Sequence, residues 1–313
     1  MMQYNASLDI DPNGKHFDRA VLSIEPEGIK TPAGFFDFSD ISAIIPNNYR
    51  VYINLFDGTR ITVSMLGHSY DGFWEELVKC FNDRSLDSLF IEEECLMNCY
   101  GEYTLSTSES GRGRLCLYPD SICILPENSH AVRIPLCYTA DITLNGYMIS
   151  VTMRTGEVYS IGKMGYDTKP FAERSIKSAA ATKKKRAEMI AGHTASAPFS
   201  ISGLFRTMDE EKYWTAAIGK TTCALELFTG DSAATYLYRF DNREFFLYKL
   251  EEAMEAVGSH REIIYQPEEM INANPLYKMA VHRSPAVRSL RSCSAGRIIH
   301  NEKHRENLMS FLD

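Results

Sequence analysis

The sequence has no long apolar run and no closely spaced cysteine pair, and each absence excludes a class of protein. No window of the 313 residues approaches the ~20 apolar residues that a membrane-spanning helix needs. The first residues carry neither the basic nor the apolar region of a secretory leader, so we expect a cytoplasmic protein. The eight cysteines include no C-x-x-C pair. This spacing predicts reduced structural thiols rather than a zinc site or a disulfide framework.

Acidic residues outnumber basic ones by 41 to 33, but two stretches have the opposite balance. Residues 172–192 carry six Lys or Arg against two Glu, and residues 278–305 carry seven against one. The densest basic run is Lys183, Lys184, Lys185 and Arg186. An acidic body with two basic stretches can attract a basic partner to one place and an anion to another.

A hairpin followed by a helix is the clearest local pattern in the chain. Residues 51–56 and 61–66 alternate apolar and polar side chains on either side of Asp57-Gly58, which is typical of a β-hairpin. From Asp71 to about Phe90, apolar residues recur at helical spacing. Residues 20–45 contain several shorter predicted strands, whereas residues 1–14 are mostly polar and we expect a loose arm there.

The same pattern recurs further along the chain. A shift of 98 residues places Gly58 on Gly156 and Phe73 on Phe171. Upstream of this region the shift is 93, which predicts a five-residue insertion near residues 126–129. Self-similarity at this period indicates two tandem domains of one fold, the alternative being a chance likeness of two β-rich stretches.

A third, partial copy is predicted after the second. A shift of 172 residues places Gly58 on Gly230 and Phe73 on Phe245, with strands at 221–228 and 233–240 and a helix after them. Residues 193–212 are interpreted as a linker with one strand, and the tail from Pro275 as short helices. The predicted domains are therefore 1–97, 98–192 and 193–313.

Six or seven short strands closed by one amphipathic helix resemble the pleckstrin-homology (PH-like) superfold. The residues that carry the resemblance are Phe36-Asp37-Phe38-Ser39-Asp40-Ile41, Asp57-Gly58 and Asp71-Gly72-Phe73-Trp74, and it covers about residues 15–192. The tandem arrangement is similar, more distantly, to the paired PH-like domains of the small subunit of the histone chaperone FACT. The acidic tail and the DNA-binding appendages of that subunit have no counterpart here.

The resemblance implies a mainly β (α+β) protein made of tandem PH-like β-barrels or sandwiches, each closed by a C-terminal helix. PH-like folds bind lipid headgroups, peptides or proteins, so the fold alone leaves the function open. Lipid-binding members are expected to crowd Lys and Arg around the first strand turn. Here the corresponding turns, residues 25–28 and 118–121, are acidic. We therefore do not expect recognition of a lipid headgroup.

Two short motifs are each similar to part of a known site but lack the rest of it. Gly219-Lys220-Thr221-Thr222 is similar to the end of a phosphate-binding loop, but Trp214 stands where the motif needs a glycine, and a strand pattern follows. His300 and His304 have helical spacing, but no third metal ligand is evident. The sequence thus predicts no catalytic residue, metal ligand or cofactor.

A non-catalytic scaffold that binds a protein or peptide is the function that the sequence favours, because the repeated residues are structural. One alternative is the binding of an anion, a nucleic acid or a membrane surface through Lys183, Lys184, Lys185 and Arg186. This basic run has no interleaved aromatic residues to stack bases, so we expect such binding to be weak and sensitive to salt. A second alternative is a cryptic enzyme with a pocket at a domain junction.

Overall fold

Two curled seven-stranded antiparallel sheets, each followed by a helix, make up most of the chain. The computed structural model describes residues 2–12, 14–91, 93–154, 156–194, 212–229, 232–257 and 260–300. The predicted fold class is confirmed, since the protein is mainly β with tandem sheets and closing helices. This architecture is compatible with tandem PH-like domains. Within the described ranges, no helix is both long enough and apolar enough to cross a membrane.

The first unit is a sheet whose two halves are joined through its first strand. It consists of β1 (Gln3–Asp11), β2 (Lys15–Glu25), β3 (Gly28–Thr31), β4 (Gly34–Asp37), β5 (Ile41–Asn47), β6 (Arg50–Leu55), β7 (Arg60–Ser64) and α1 (Tyr70–Asp87). The strands lie in the order β4-β3-β2-β1-β7-β6-β5. Strand β1 pairs antiparallel with both β2 and β7, so the sheet curls around one core.

The prediction of a loose arm over residues 1–14 was wrong. Tyr4, Ala6, Leu8 and Ile10 alternate along β1, and all four side chains are buried in the core of the first unit. Polar residues lie between them and hide the alternation in the composition of the segment. The central strand of the sheet is therefore the segment that was predicted to be a loose arm.

The second unit repeats the first in element order and sheet order. It consists of β8 (Met97–Thr104), β9 (Ser110–Leu117), β10 (Ser121–Pro126), β11 (Val132–Pro135), β12 (Thr139–Asn145), β13 (Met148–Met153), β14 (Val158–Gly162) and α2 (Thr168–Thr194). The strands lie in the order β11-β10-β9-β8-β14-β13-β12. From β11 onward each element begins 98 residues after its counterpart, whereas β10 begins 93 residues after β3. The extra residues therefore lie in the β10–β11 hairpin, and residues 127–131 are called the inserted segment below.

Both closing helices bury an aromatic residue in their first turns, but they differ further along. Phe73 and Phe81 of α1 are fully buried in the core of the first unit. In α2, Phe171 keeps the first position, while Ala179 occupies the place that corresponds to Phe81. The repeat therefore conserves an apolar stripe but not its volume.

The first two units share an apolar interface through β10. Ile122 and Ile124 face the core of the second unit, while Cys123 and Leu125 on the opposite face pack with Leu89, just beyond α1. Every residue of β10 is buried. This strand therefore belongs to two cores at once, which explains why it lacks the polar alternation of a surface strand.

The third unit is a smaller sheet covered by helices. It consists of β15 (Lys212–Ile218), β16 (Thr222–Thr229), β17 (Ser232–Arg239), α3 (Arg243–Val257), α4 (Glu268–Asn272), α5 (Pro275–Arg283), α6 (Pro285–Ser292) and β18 (Ser294–His300). Its strand order is β15-β16-β17-β18, with all pairs antiparallel. Strand β18 pairs with β17 as β1 pairs with β7, although it follows the helices in the chain. This order corresponds to β5-β6-β7-β1 of the first unit.

The markers of the third copy have different outcomes. Gly230 and the strand predicted within 193–212 lie outside the described residues. Phe245 is 54% exposed and Phe246 beside it is buried, because α3 begins at Arg243 rather than at the position a 172-residue shift predicts. Phe246, and not Phe245, therefore fills the core position.

Two glycines of the first unit are expected to respond oppositely to alanine. Gly72 lies inside α1 with open space around an added Cβ, so Gly72→Ala should stabilise the unit by about 0.5–1 kcal/mol. Gly58 has a φ of +89°, and its repeat partner Gly156 a φ of +90°, in the left-handed region that disfavours side chains. Gly58→Ala should therefore destabilise by about 1 kcal/mol. Urea unfolding followed by Trp74 fluorescence in a Trp214→Phe background measures both effects, and shifts of the same sign would contradict this account.

Candidate functional site

The first unit has a groove between its edge strand β5 and the C-terminal half of α1, and the inserted segment fills it. The backbone N–H of Ile44 in β5 donates to the carbonyl of Asn128 at 3.0 Å. On the helix side, the backbone N–H of Ala131 donates to the hydroxyl of Ser85 at 2.7 Å. The segment is thus held by main-chain hydrogen bonds to both walls of the groove, which we call the first groove.

His130 fastens the inserted segment at its centre. Its Nε2 lies 2.7 Å from the carbonyl oxygen of Ile41, and because a carbonyl only accepts, Nε2 carries the proton. The ring packs against Phe56 and Phe81, with centroids 5.7 and 5.2 Å away. Nδ1 is buried without a hydrogen-bond partner among the described residues. The pKa of His130 is lowered to about 4, chiefly by burial and also by the positive charge of Arg283.

The third unit meets the first unit beside this histidine. His282 of α5 lies over Phe56, with centroids 4.1 Å apart, and its Nδ1 donates to the carbonyl of Ser39 at 3.1 Å. Lys278 of the same helix forms an ion pair with Asp40. Side chains from all three units therefore meet around Phe56. The first groove is thus a place where the three units contact one another.

Arg283 crosses the same junction as a cation that has no carboxylate partner among the described residues. Its Nη2 donates to the carbonyl of Ser88 at 2.8 Å and to the carbonyl of Ala256 at 2.7 Å. These carbonyls belong to the C-terminal ends of α1 and α3, where the helix dipoles favour positive charge. Enclosure of the guanidinium lowers the pKa of Arg283 from its ordinary value. One side chain thus caps helices of two units.

The second unit has the corresponding edge strand β12 and helix α2, but α2 packs against β12 more closely than α1 packs against β5. We call the space between β12 and α2 the second groove. Strand β12 is the last strand of its sheet, and no described strand pairs with its outer edge. Ala140, Asp141 and Thr143 are exposed along this edge. The backbone N–H of Ile142, 98 residues after Ile44, donates to the carboxylate of its neighbour Asp141 at 2.9 Å. A side chain therefore occupies the hydrogen-bond position that the inserted segment holds in the first groove.

The basic run predicted as a binding site lies at the far end of this second groove. Lys183 stands 98 residues after Ser85, the helix residue that accepts a hydrogen bond from the inserted segment, and is half-buried. Lys184 and Lys185 are exposed. Arg186 belongs to the same helix, but its side chain lies outside the described part of the chain. The structure thus places Lys183, Lys184 and Lys185 near the end of the second groove. The sequence alone contains no sign of this relation.

The other candidate motifs occupy structural positions. Lys220 is followed by strand β16 and not by a helix, while Thr221 and Thr222 line a cleft of about 810 Å³ with Arg239 and Lys249. Lys249 is already paired with Glu252 at 2.7 Å. In strand β18, His300 is the last residue, and the side chains of His300 and His304 lie outside the described residues. The acidic Asp120 of the 118–121 turn is paired with Arg133 at 2.8 Å.

The cysteines are free thiols. Cys116 and Cys123 face each other across β9 and β10, and burial raises the pKa of each to about 12. A thiol with so high a pKa is protonated at neutral pH and is a poor nucleophile. Within the described ranges, no three His, Cys, Asp or Glu side chains are grouped in a way that could hold a metal ion.

The residues at the junction were missed by sequence reasoning for a physical reason. The length of the insertion was visible as a change of shift from 98 to 93, but the residues that bind it lie 46 to 89 positions away in the chain. His130 and Arg283 carry no local motif, because their partners are main-chain carbonyls of distant elements. A sequence scan against protein-family models matches none of them, and a search of curated proteins also finds no match.

Proposed function

We propose that the chain is a non-catalytic scaffold of tandem PH-like units and that its second groove binds an extended segment of a partner protein. The first groove supports this proposal, because it already holds a loop segment of the chain through hydrogen bonds from Ile44 and to Ser85. The second groove offers Ile142 and Lys183 at the corresponding positions. Addition of a strand at an open sheet edge is a general mode of peptide recognition.

The side chains around the second groove favour an acidic segment near the end of α2. In the first groove, Ala131 lies next to Ser85. Since Lys183 replaces Ser85 in the repeat, an acidic residue at the position of Ala131 would meet an ammonium group there. A carbonyl of the incoming segment would replace the Asp141 carboxylate on Ile142 N–H, which frees that aspartate to face solvent. The partner is therefore expected to carry its acidic side chain on the helix side of the groove.

Synthetic peptides with the sequence of residues 125–132 test this proposal. The peptide with Ala131→Glu should bind the full chain at least tenfold more tightly than the unchanged peptide, because a charge pair at a partly buried site adds about 1.4 kcal/mol or more. Binding is measured by calorimetry, and its location by the NMR shift of the Ile142 amide. Binding that leaves this amide unmoved would contradict the proposal.

Matched charge variants separate a groove contact from general attraction. Lys183→Glu with Lys185→Glu should weaken binding of the acidic peptide at least tenfold. Lys169→Glu with Lys177→Glu makes the same change in net charge on exposed positions of the same helix and should change binding less than threefold. Equal losses in the two double variants would indicate unspecific electrostatics and count against the groove.

Anion, nucleic-acid or membrane-surface binding is a second candidate, favoured by the exposure of Lys184 and Lys185. It predicts that a single-stranded DNA 20-mer or anionic vesicles bind at low salt, and that replacing the four residues of the basic run with alanine abolishes this binding. Such binding should weaken steeply with salt concentration. If the DNA or the vesicles bind and the acidic peptide does not, this candidate replaces the peptide-binding one. The more distant likeness to a histone-chaperone subunit stays a prediction and contributes nothing to either candidate.

A further inference from the structure

The first groove is closed by a segment of the same chain, and a single titratable side chain fastens that segment. We propose that the inserted segment is an acid-sensitive latch: it occupies the first groove while His130 is neutral and leaves the groove when His130 gains a proton. The latch concerns the first groove alone, so it does not rest on peptide binding by the second groove.

The geometry around His130 accommodates one ring proton and not two. The proton on Nε2 is used by the carbonyl of Ile41. A second proton would go to Nδ1, which is buried and has no acceptor in the described part of the chain. The ring packs against Phe56 and Phe81, and its Nδ1 atom is enclosed although the residue as a whole is partly exposed. An imidazolium ion in this position would leave a charged N–H group without a hydrogen bond, which is costly in an apolar setting.

The charged groups around the ring add to this cost. The charged groups that act on the ring are His282 and Arg283 of the third unit. Lys278 and Asp40 lie beside His282, and Arg133, which is paired with Asp120, lies near Arg283. Glu127 belongs to the inserted segment itself. Arg283 and His282 both oppose a proton on His130. Asp40 is engaged by Lys278, and Asp120 by Arg133, so neither carboxylate is available to compensate a new cation. Glu109 accepts a hydrogen bond from Ser129, at the solvent side of the segment.

The direction of the pH effect follows from proton linkage. In the closed latch the pKa of His130 is lowered to about 4, whereas an exposed histidine has a pKa of about 6.5. Between these values the open latch binds more protons, so opening becomes more favourable as the pH falls. The equilibrium constant for opening should rise at most about twentyfold between pH 7 and pH 5.

Hydrogen exchange of the full chain measures the latch directly. The rate is followed for peptides that cover β5, whose Ile44 amide is protected by Asn128, and is corrected for the intrinsic effect of pH. We expect β5 to exchange at least fivefold faster at pH 5 than at pH 7. In His130→Gln, whose side-chain amide can donate to Ile41 but does not titrate, the ratio should stay below twofold.

A second histidine serves as the matched control. His16 is exposed, lies between Asp9 and Asp18, and has a raised pKa because both carboxylates favour its charged form. His16→Gln should keep the full acid response of β5. An equal response in wild type and His130→Gln, or no response in wild type, would overturn the proposal. If His130→Gln does not fold, NMR titration of the wild-type ring decides: a midpoint below pH 5 supports the latch, and one above pH 6 refutes it.

Discussion

Replacing Arg283 with alanine is expected to lower the free energy of unfolding of the third unit by about 3 kcal/mol. The guanidinium donates to Ser88 at the end of α1 and to Ala256 at the end of α3. Loss of the side chain leaves both carbonyls without this donor, and each unsatisfied buried group costs about 1–3 kcal/mol. It also removes a positive charge from the negative ends of two helices. The third unit should therefore lose part of its attachment to the first unit as well as internal stability.

The two tryptophans allow this effect to be assigned to a unit. Trp74 lies in α1 and Trp214 in β15, so unfolding of the third unit can be followed by Trp214 fluorescence in a Trp74→Phe background. Arg288→Ala is the matched control, because Arg288 is exposed and its hydrogen bonds in the described part of the chain go to Val281 and His282 of the adjacent helix α5. This control should cost less than 1 kcal/mol. A loss in Arg283→Ala no larger than in Arg288→Ala would show that the bridge between the helices contributes little.

The fold was predictable from the sequence where local geometry decides it. Gly58 and Gly156 share a left-handed backbone conformation that few other residues adopt. The turn therefore requires a glycine in both copies. Phe73 and Phe171 each begin a buried stripe on a helix that must cover a curled sheet. Turns and helical periods are set by residues that are close in sequence. Both copies therefore carry the same local pattern, and a shift of 98 residues aligns the two patterns.

The fold was not predictable where pairing is distant in sequence. Strand β1 was interpreted as a loose arm because its alternation is carried by Tyr4 and Ala6 as well as by Leu8 and Ile10, among polar neighbours. Its position is set by pairing with β7, about 55 residues later. Strand β18 was likewise predicted as part of a helical tail, although it pairs with β17 across four helices. Neither the β1–β7 pairing nor the β17–β18 pairing can be predicted from residues that are close in sequence.

The candidate site depends on an asymmetry between two copies of one fold. In the first groove, Ile44 donates to Asn128, a residue of the next unit. In the second groove, Ile142 donates to its own neighbour Asp141. Charged side chains on an edge strand disfavour pairing with another strand. Strand β12 has no described strand on its outer edge, and Asp141 therefore opposes unspecific pairing there. The five-residue insertion thus explains why Ile44 is paired with the next unit, whereas the equivalent N–H of Ile142 is satisfied within its own strand.

Phe81→Ala is expected to destabilise the first unit by about 3–5 kcal/mol, the largest single effect that we predict. Phe81 is fully buried, packs edge-on against Phe38 with centroids 5.7 Å apart, and supports the ring of His130. Truncation of such a ring removes buried apolar area and leaves a cavity. The second unit accommodates Ala179 at this position because α2 lies closer to Leu136–Tyr138 and to β12 than α1 lies to the equivalent residues of the first unit. The first unit has no such adjustment, so alanine leaves a void.

Trp74 fluorescence in a Trp214→Phe background measures the loss, with Phe35→Ala as the control. Phe35 is 48% exposed on the edge strand β4, and its truncation should cost less than 1 kcal/mol. Because Phe81 forms one wall of the site of His130, Phe81→Ala should also speed the exchange of β5 at pH 7, where Phe35→Ala should not. A large loss of stability without faster exchange of β5 would mean that the core and the latch are independent. Faster exchange together with the loss would show that the ring that fills the core of the first unit also holds the first groove closed.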